Sequence, residues 1–305
     1  MSVQYKEEMT LFLEALFWYH TIRVDKPTPG MEMMNVTFVD NKGLAPFGTT
    51  GEALSVSNKE RMNALESMVK SGINPKVLIP GTGLCNFPDT VKISKHALEL
   101  GCHGVMVLPP FYYKGVSNEG LFAHYERLIS EINHPDLKIY LYHIPAMTGV
   151  PLSTELVSKL KSKYPDTVIG IKDSTGDWDN TKSFLEIDQL IVYPGAELLV
   201  IDSIKLGGPG CISATANINS KNISKVIEYA HNGDWEEANK IMEEVRNVRL
   251  LFQDYAPIPS QKAMLAKKFN EPLWRNVRPP LVQTLTKDQS DILSEKLRNE
   301  YNFRI

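Results

Sequence analysis

The chain has 305 residues, 43% of them apolar and 23% charged, a composition that suits one large globular domain or two small ones. Its formal net charge of -3, without a basic block, argues against nucleic acid or an anionic membrane as partner, and no apolar run is long enough to span a bilayer. Three scattered cysteines (Cys85, Cys102, Cys211) argue against a disulfide framework or a CxxC metal site and fit a reducing cytoplasm, and the seven histidines show no HExxH-like spacing, so no metal centre is expected.

In chain order, residues 1–42 are the least regular part. They open without a basic stretch followed by a small-residue cleavage site, so no secretory signal is expected. The apolar segment 9–22 has the pattern of a helix more than of a first strand. Thr28-Pro29 is followed by thirteen residues (30–42) without a clear helical period.

From residue 43 a repeating unit sets in. Short runs rich in Val, Ile, Leu, Phe and Tyr occur at 43–48, 76–83, 104–111, 138–145, 168–173, 190–195 and 210–217, most of them ending at Gly, Pro or a polar residue. Segments of helical period lie between them, at 57–72, 87–101 and 153–164 among others, opening on Ser or Asn where a cap is needed. Alternating β and α units predict a parallel sheet covered by helices. The seven strand candidates recur at intervals of roughly 20 to 35 residues, the size of a βα unit. A closed (β/α)8 barrel needs one more strand, before residue 43. After 217 the pattern is helical only: 219–232, 234–251, 258–269 and 287–300. The expected organisation is therefore α/β, with a divergent segment at 1–42, a (β/α)8 barrel over 43–232 and a C-terminal helical extension over 233–305. The alternative, an open doubly wound sheet, is weakened because no GxGxxG turn follows an early strand.

In such a barrel the site lies at the C-terminal ends of the strands. Those ends are chemically unusual here. They carry "GTTGE" (48–52), "PPFYYK" (109–114), Tyr142 before "HIPAMTG", Lys172 after "VIGI", and "ISATAN" (212–217). A strand ending on lysine has two readings: it has simply reached water, or its amine is partly desolvated and serves as a nucleophile able to form a Schiff base. Hydroxyls and phenols on the same rim favour the second.

Five motifs, "GTTGE" (48–52), "YYKGVSNEGL" (112–121), "YHIPAMTG" (142–149), "GIKDSTGD" (170–177) and "GGPGCISATAN" (207–217), resemble in order and spacing the dihydrodipicolinate synthase / N-acetylneuraminate lyase superfamily of class I pyruvate aldolases, over about residues 43–270. The resemblance implies a (β/α)8 barrel, a homotetramer, a small 2-keto acid substrate and no cofactor beyond the covalent link to substrate. It implies that Lys172 condenses with the C2 carbonyl of pyruvate or a related 2-keto acid, and that Tyr142 moves protons. Thr49 and Thr50 would hold the substrate carboxylate in a turn where Gly51 lets backbone amides approach. Tyr113, or Tyr112 in its place, would reach a neighbouring subunit's site. Gly195 and Ile212 would line the pyruvate position through backbone atoms. Lys172, Tyr142, Thr49 and Tyr113 thus form the expected catalytic set. Glu197, with Thr175 and Ser213, is a candidate for substrate hydroxyls, although a carboxylate there also suits a helix start. His143, adjacent to Tyr142 on a strand, is expected to face the helix layer. One departure bears on substrate: dihydrodipicolinate synthases carry an arginine where this chain has Met147, and methionine cannot make a bidentate contact to a distal carboxylate. This favours retro-aldol cleavage of a 2-keto-3-deoxy sugar acid. Its alternatives are dehydration of such an acid through the same Schiff base, and a silent barrel that only binds ligand or partners.

Overall fold

The computed structural model describes residues 12–13 and 43–301. Apart from Phe12–Leu13, the divergent segment 1–42 lies outside the described residues; within the apolar segment 9–22, where the pattern suggests a helix, Phe12–Leu13 pair as a strand with Ile212–Ser213.

Several of the helices start at a side chain that caps their first turn. Ser57 closes a capping box with Glu60 ahead of α1 (Asn58–Lys70): Glu60 N donates to Ser57 Oγ at 3.3 Å, and Ser57 N donates to Glu60 Oε2 at 2.9 Å. Asn86 caps α2 (Phe87–Glu99), Ser117 caps α3 (Asn118–Ile132), Ser153 caps α5 (Thr154–Lys163) and Asp177 caps α6 (Trp178–Leu185). The short α4 (Pro145–Thr148) and α7 (Val200–Lys205) start without a side-chain cap. Beyond them follow α8 (Ala216–His231), α9 (Trp235–Gln253), α10 (Pro257–Lys268) and α11 (Lys287–Tyr301).

The strands are short. They are β1 (Phe12–Leu13), β2 (Val105–Val107), β3 (Ile139–His143), β4 (Val168–Asp173), β5 (Ile191–Pro194) and β6 (Ile212–Ser213). β2, β3, β4 and β5 pair in parallel in sequence order, and β1 pairs in parallel with β6. The expected strands at 43–48 and 76–83 pair only through the parallel bridges Leu44–Leu78 and Gly81–Met106. Their backbones extend the ladder all the same: Ile79 N donates to Leu44 O at 2.9 Å and Met106 N to Pro80 O at 2.9 Å. A proline and glycines within these runs remove donors and side-chain contacts, which is why the regular ladder is broken there. Parallel segments in sequence order with helices outside are the arrangement of a (β/α)8 barrel.

Alternation sorts the side chains into two layers. Ala45, Ile79, Met106, Tyr140, Tyr142, Tyr193 and Ile212 pack together inside the ring of strands. Leu44, Leu78, Val105, Val107, Leu141, Val168, Ile171 and Val192 face the helices. Gly170 is inward, and a Cβ there would stand 2.7 Å from the Tyr140 ring, so this position leaves room for an aromatic from the neighbouring strand. A further cluster joins Ile218 to α9, α10 and α11 through Val248, Leu251, Phe252, Met264, Trp274, Leu293 and Leu297. All three cysteines are free, with Cys102 and Cys211 buried. Among the described residues no helix is long and apolar enough to cross a membrane.

Candidate active site

β3 and β4 place Tyr142 and Lys172 as register partners on adjacent strands. Period two puts both side chains on the inner face, because Ile171 points outward to the helix layer. Both are only 2% exposed. Lys172 Nζ donates to Tyr142 Oη at 3.3 Å and lies 4.5 Å from the centroid of the Tyr142 ring. Tyr142 Oη is also 3.1 Å from Thr49 Oγ1. An amine, a phenol and an aliphatic hydroxyl from three separate elements therefore form one hydrogen-bonded chain. A group bonded to an amine on one side and a hydroxyl on the other can relay a proton in either direction.

Thr49 sits in a tight turn. Glu52 N donates to Thr49 O at 3.1 Å, and Phe47 and Glu52, which flank the turn, hold left-handed backbone angles with φ 64° and 53°. Non-glycine residues persist in that region when their surroundings fix them, and such positions cluster at binding sites. Thr50 and Gly51 are buried in the same turn.

Ile212 lies inside the ring of strands, and Gly195 follows β5, its N–H donating to Asp173 O at 2.6 Å. A Cβ on Gly195 would stand 2.2 Å from Ser174 Oγ, so only glycine lets these two strand ends meet. His143 faces the helix layer: its ring meets Phe184 edge to face at 5.5 Å, and Leu152 N donates to Nδ1 at 3.0 Å. Burial pulls the His143 imidazole below the usual histidine range. Asp173, its register partner, is held by the Thr175 and Thr181 hydroxyls.

Other expected residues stand apart from the buried chain. Tyr112 and Tyr113 are 75% and 74% exposed, their rings edge to face at 5.2 Å, and neither belongs to the buried group within one chain. Met147, on α4, is 69% exposed. Glu197 is fully buried. Its Oε2 accepts from Ser213 Oγ and, at 2.8 Å, from Arg249 Nη1 of α9, while its Oε1 has no hydrogen-bond partner among the described residues. Thr175 serves Asp173.

Two arrangements escape the sequence. One is the Arg249–Glu197 pair. The other is Lys262 of α10, 1% exposed, which donates to Glu52 Oε1 at the end of the GTTGE turn. A lysine inside the apolar run "PIPSQKAMLA" signals a buried anionic partner, but nothing in the sequence says which one. Among the described residues no three His, Cys, Asp or Glu side chains converge as metal ligands would.

The model of the dihydrodipicolinate synthetase family matches residues 37–299. A 4-hydroxy-tetrahydrodipicolinate synthase of Methanosarcina acetivorans is 32% identical over 236 residues, covering 75% of this chain and 78% of the relative. The crystal structure of dihydrodipicolinate synthase from Agrobacterium tumefaciens superposes with a TM-score of 0.76 at 30% identity, covering 85% of this chain and 87% of the other. A 2-keto 3-deoxygluconate aldolase from Picrophilus torridus superposes with a TM-score of 0.72 at 25% identity, covering 79% and 85%.

Proposed function

We propose that this chain, which belongs to the dihydrodipicolinate synthetase family, is a class I lyase that forms a Schiff base through Lys172 and cleaves a 2-keto-3-deoxy sugar acid to a 2-keto acid and an aldehyde. The observation that carries the reading is the chain Lys172 Nζ–Tyr142 Oη–Thr49 Oγ1, built from register partners on two adjacent strands and the turn that carries Thr49.

The chemistry follows from these groups. The neutral Lys172 amine attacks the C2 carbonyl and gives a carbinolamine. Tyr142 protonates the departing hydroxyl, water leaves, and an iminium remains. Tyr142, now a phenolate, takes the proton from the C4 hydroxyl, the C3–C4 bond breaks, and its electron pair enters the enamine while C4 leaves as an aldehyde. Protonation of C3 and addition of water release pyruvate and restore the amine. Thr49 passes protons to and from Tyr142, and the turn with Thr50 and Gly51 holds the carboxylate through hydroxyl and backbone N–H groups.

Met147 supports a substrate without a distal carboxylate, because a thioether offers no donor to it. Glu197 enters the reading through Oε1 alone, as acceptor for a substrate hydroxyl. Tyr113 enters through assembly, as an exposed phenol completing the site of a second copy in a homo-oligomer.

The test is a panel of 2-keto-3-deoxy acids of differing chain length, assayed separately for pyruvate release and for loss of water, with aspartate semialdehyde condensation alongside. Pyruvate release that Lys172→Ala abolishes is the expected result. Dehydration without pyruvate release assigns the chain to the hydro-lyases, and condensation with aspartate semialdehyde overturns the specificity argued from Met147. In the same panel, Glu197→Ala is expected to raise KM for hydroxylated substrates and Tyr113→Phe to lower kcat. Unchanged constants remove either residue from the site.

A further inference from the structure

The substrate turn is held from the far end of the chain. Glu52 closes the GTTGE turn with a backbone bond to Thr49 O and keeps a left-handed conformation at φ 53°. Both oxygens of its carboxylate are taken by residues beyond the barrel. Lys262 Nζ of α10 donates to Oε1, and Arg278 N donates to Oε2 at 2.8 Å. The Arg278 guanidinium reaches further, to Ser55 O at 2.9 Å and to Glu60 Oε1 at 2.8 Å. From the barrel side, Arg61 donates to Ala53 O, just past the turn.

Lys262 and Glu52 are both buried, at 1% and 3% side-chain exposure. Desolvation disfavours a charge on Lys262 and the Glu52 carboxylate favours one. A buried charge pair with satisfied partners is costly to break from one side, because the remaining charge has nowhere to go. The turn carries Thr49, and Thr49 bonds the phenol that bonds the reactive amine. A shift of the turn therefore moves the proposed carboxylate cradle relative to Lys172.

We infer that Lys262 is a positioning residue: through Glu52 it fixes the Thr49–Thr50 turn, so that the C-terminal helices set the affinity for the 2-keto acid carboxylate. The inference rests on the reading of the turn as that cradle. Lys262 touches neither substrate nor the reacting atoms.

The test uses the full chain with Lys262→Met, Lys262→Arg and Glu52→Gln, and Lys267→Met as a control at the surface pair with Asp291. Two readouts are taken. One is borohydride trapping of pyruvate on Lys172 as a function of pyruvate concentration, which separates half-saturation from maximal rate. The other is amide hydrogen exchange over residues 48–53, against residues 139–143 and 168–173. Lys262→Met and Glu52→Gln are expected to raise half-saturating pyruvate by about tenfold or more while the maximal trapping rate holds. Lys262→Arg restores most of the loss, and Lys267→Met changes nothing. Exchange over 48–53 quickens while the two strands stay protected. Unchanged exchange over 48–53 in folded Lys262→Met overturns the inference, whatever the chemistry, and so does a fall in maximal rate with half-saturation unmoved. A wild type that traps no pyruvate, with exchange over 48–53 still quickened by Lys262→Met, removes the functional reading but keeps the positioning role. If Lys262→Met does not fold, the near-isosteric Glu52→Gln decides on the same two readouts.

Discussion

Tyr142 has the amine of Lys172 on one side and the hydroxyl of Thr49 on the other, at 3.3 and 3.1 Å. Tyr142→Phe keeps the ring that packs inside the barrel and removes only the phenolic hydroxyl. We expect kcat to fall by roughly 10²–10⁴ with KM changed little, the size usual for a lost general acid–base group. Steady-state kinetics on whichever acid the panel identifies checks this, and a KM rise with kcat intact would contradict the relay. These residues are legible in the sequence because period two is unforgiving: once Ile171 faces the helices, Lys172 faces in, and the same holds for Leu141 and Tyr142. His143 is legible for the same reason, as the outward neighbour. Glu197 is the opposite case. Its sequence neighbourhood says nothing of Arg249, 52 residues later, which takes one of its oxygens.

At the scale of elements, α1, α2 and α5 follow from their caps and apolar spacing, whereas the runs at 43–48 and 76–83 read as strands but pair only through bridges, since a strand's regularity depends on its neighbours' backbones as much as on its own residues. α3 carries a titration of its own. Its His124 packs edge to face on Phe87 of α2 at 5.6 Å, its Nε2 has no hydrogen-bond partner among the described residues, and burial pulls its pKa from 6.5 to about 4. The folded chain thus binds fewer protons than the unfolded chain between those values. The stability this contributes is whole above pH 6.5 and is lost as pH falls through about 4. Urea midpoints across that window should fall less steeply for His124→Phe, which keeps the ring contact. Equal slopes for the two proteins would show that α3 does not carry the effect.

For the whole molecule, the C-terminal helices act as more than a cover. α9 sends the half-buried Arg249 to Glu197 after β5, and α10 sends the buried Lys262 to Glu52 after the 44–46 segment, so two cations tie buried strand-end carboxylates to helices distant in sequence. Removing Arg249 leaves Glu197 buried without its counter-ion. Arg249→Met should destabilise the chain by roughly 3–5 kcal/mol, and adding Glu197→Gln should recover part of that. Two separate unfolding transitions, or additive losses in the double mutant, would mean that helices and barrel are not joined through this pair. The helical pattern after 217 announces such an extension, but an ion pair between elements is a property of the closed fold and has no local signature.

The central claim is that Lys172 is the Schiff-base nucleophile, and trapping tests it most directly. Borohydride reduction in the presence of pyruvate, followed by peptide mass spectrometry, should leave a pyruvyl adduct on the peptide carrying Lys172 and none in Lys172→Ala. A folded wild type with no adduct, or an adduct on another lysine that persists in the variant, would contradict it.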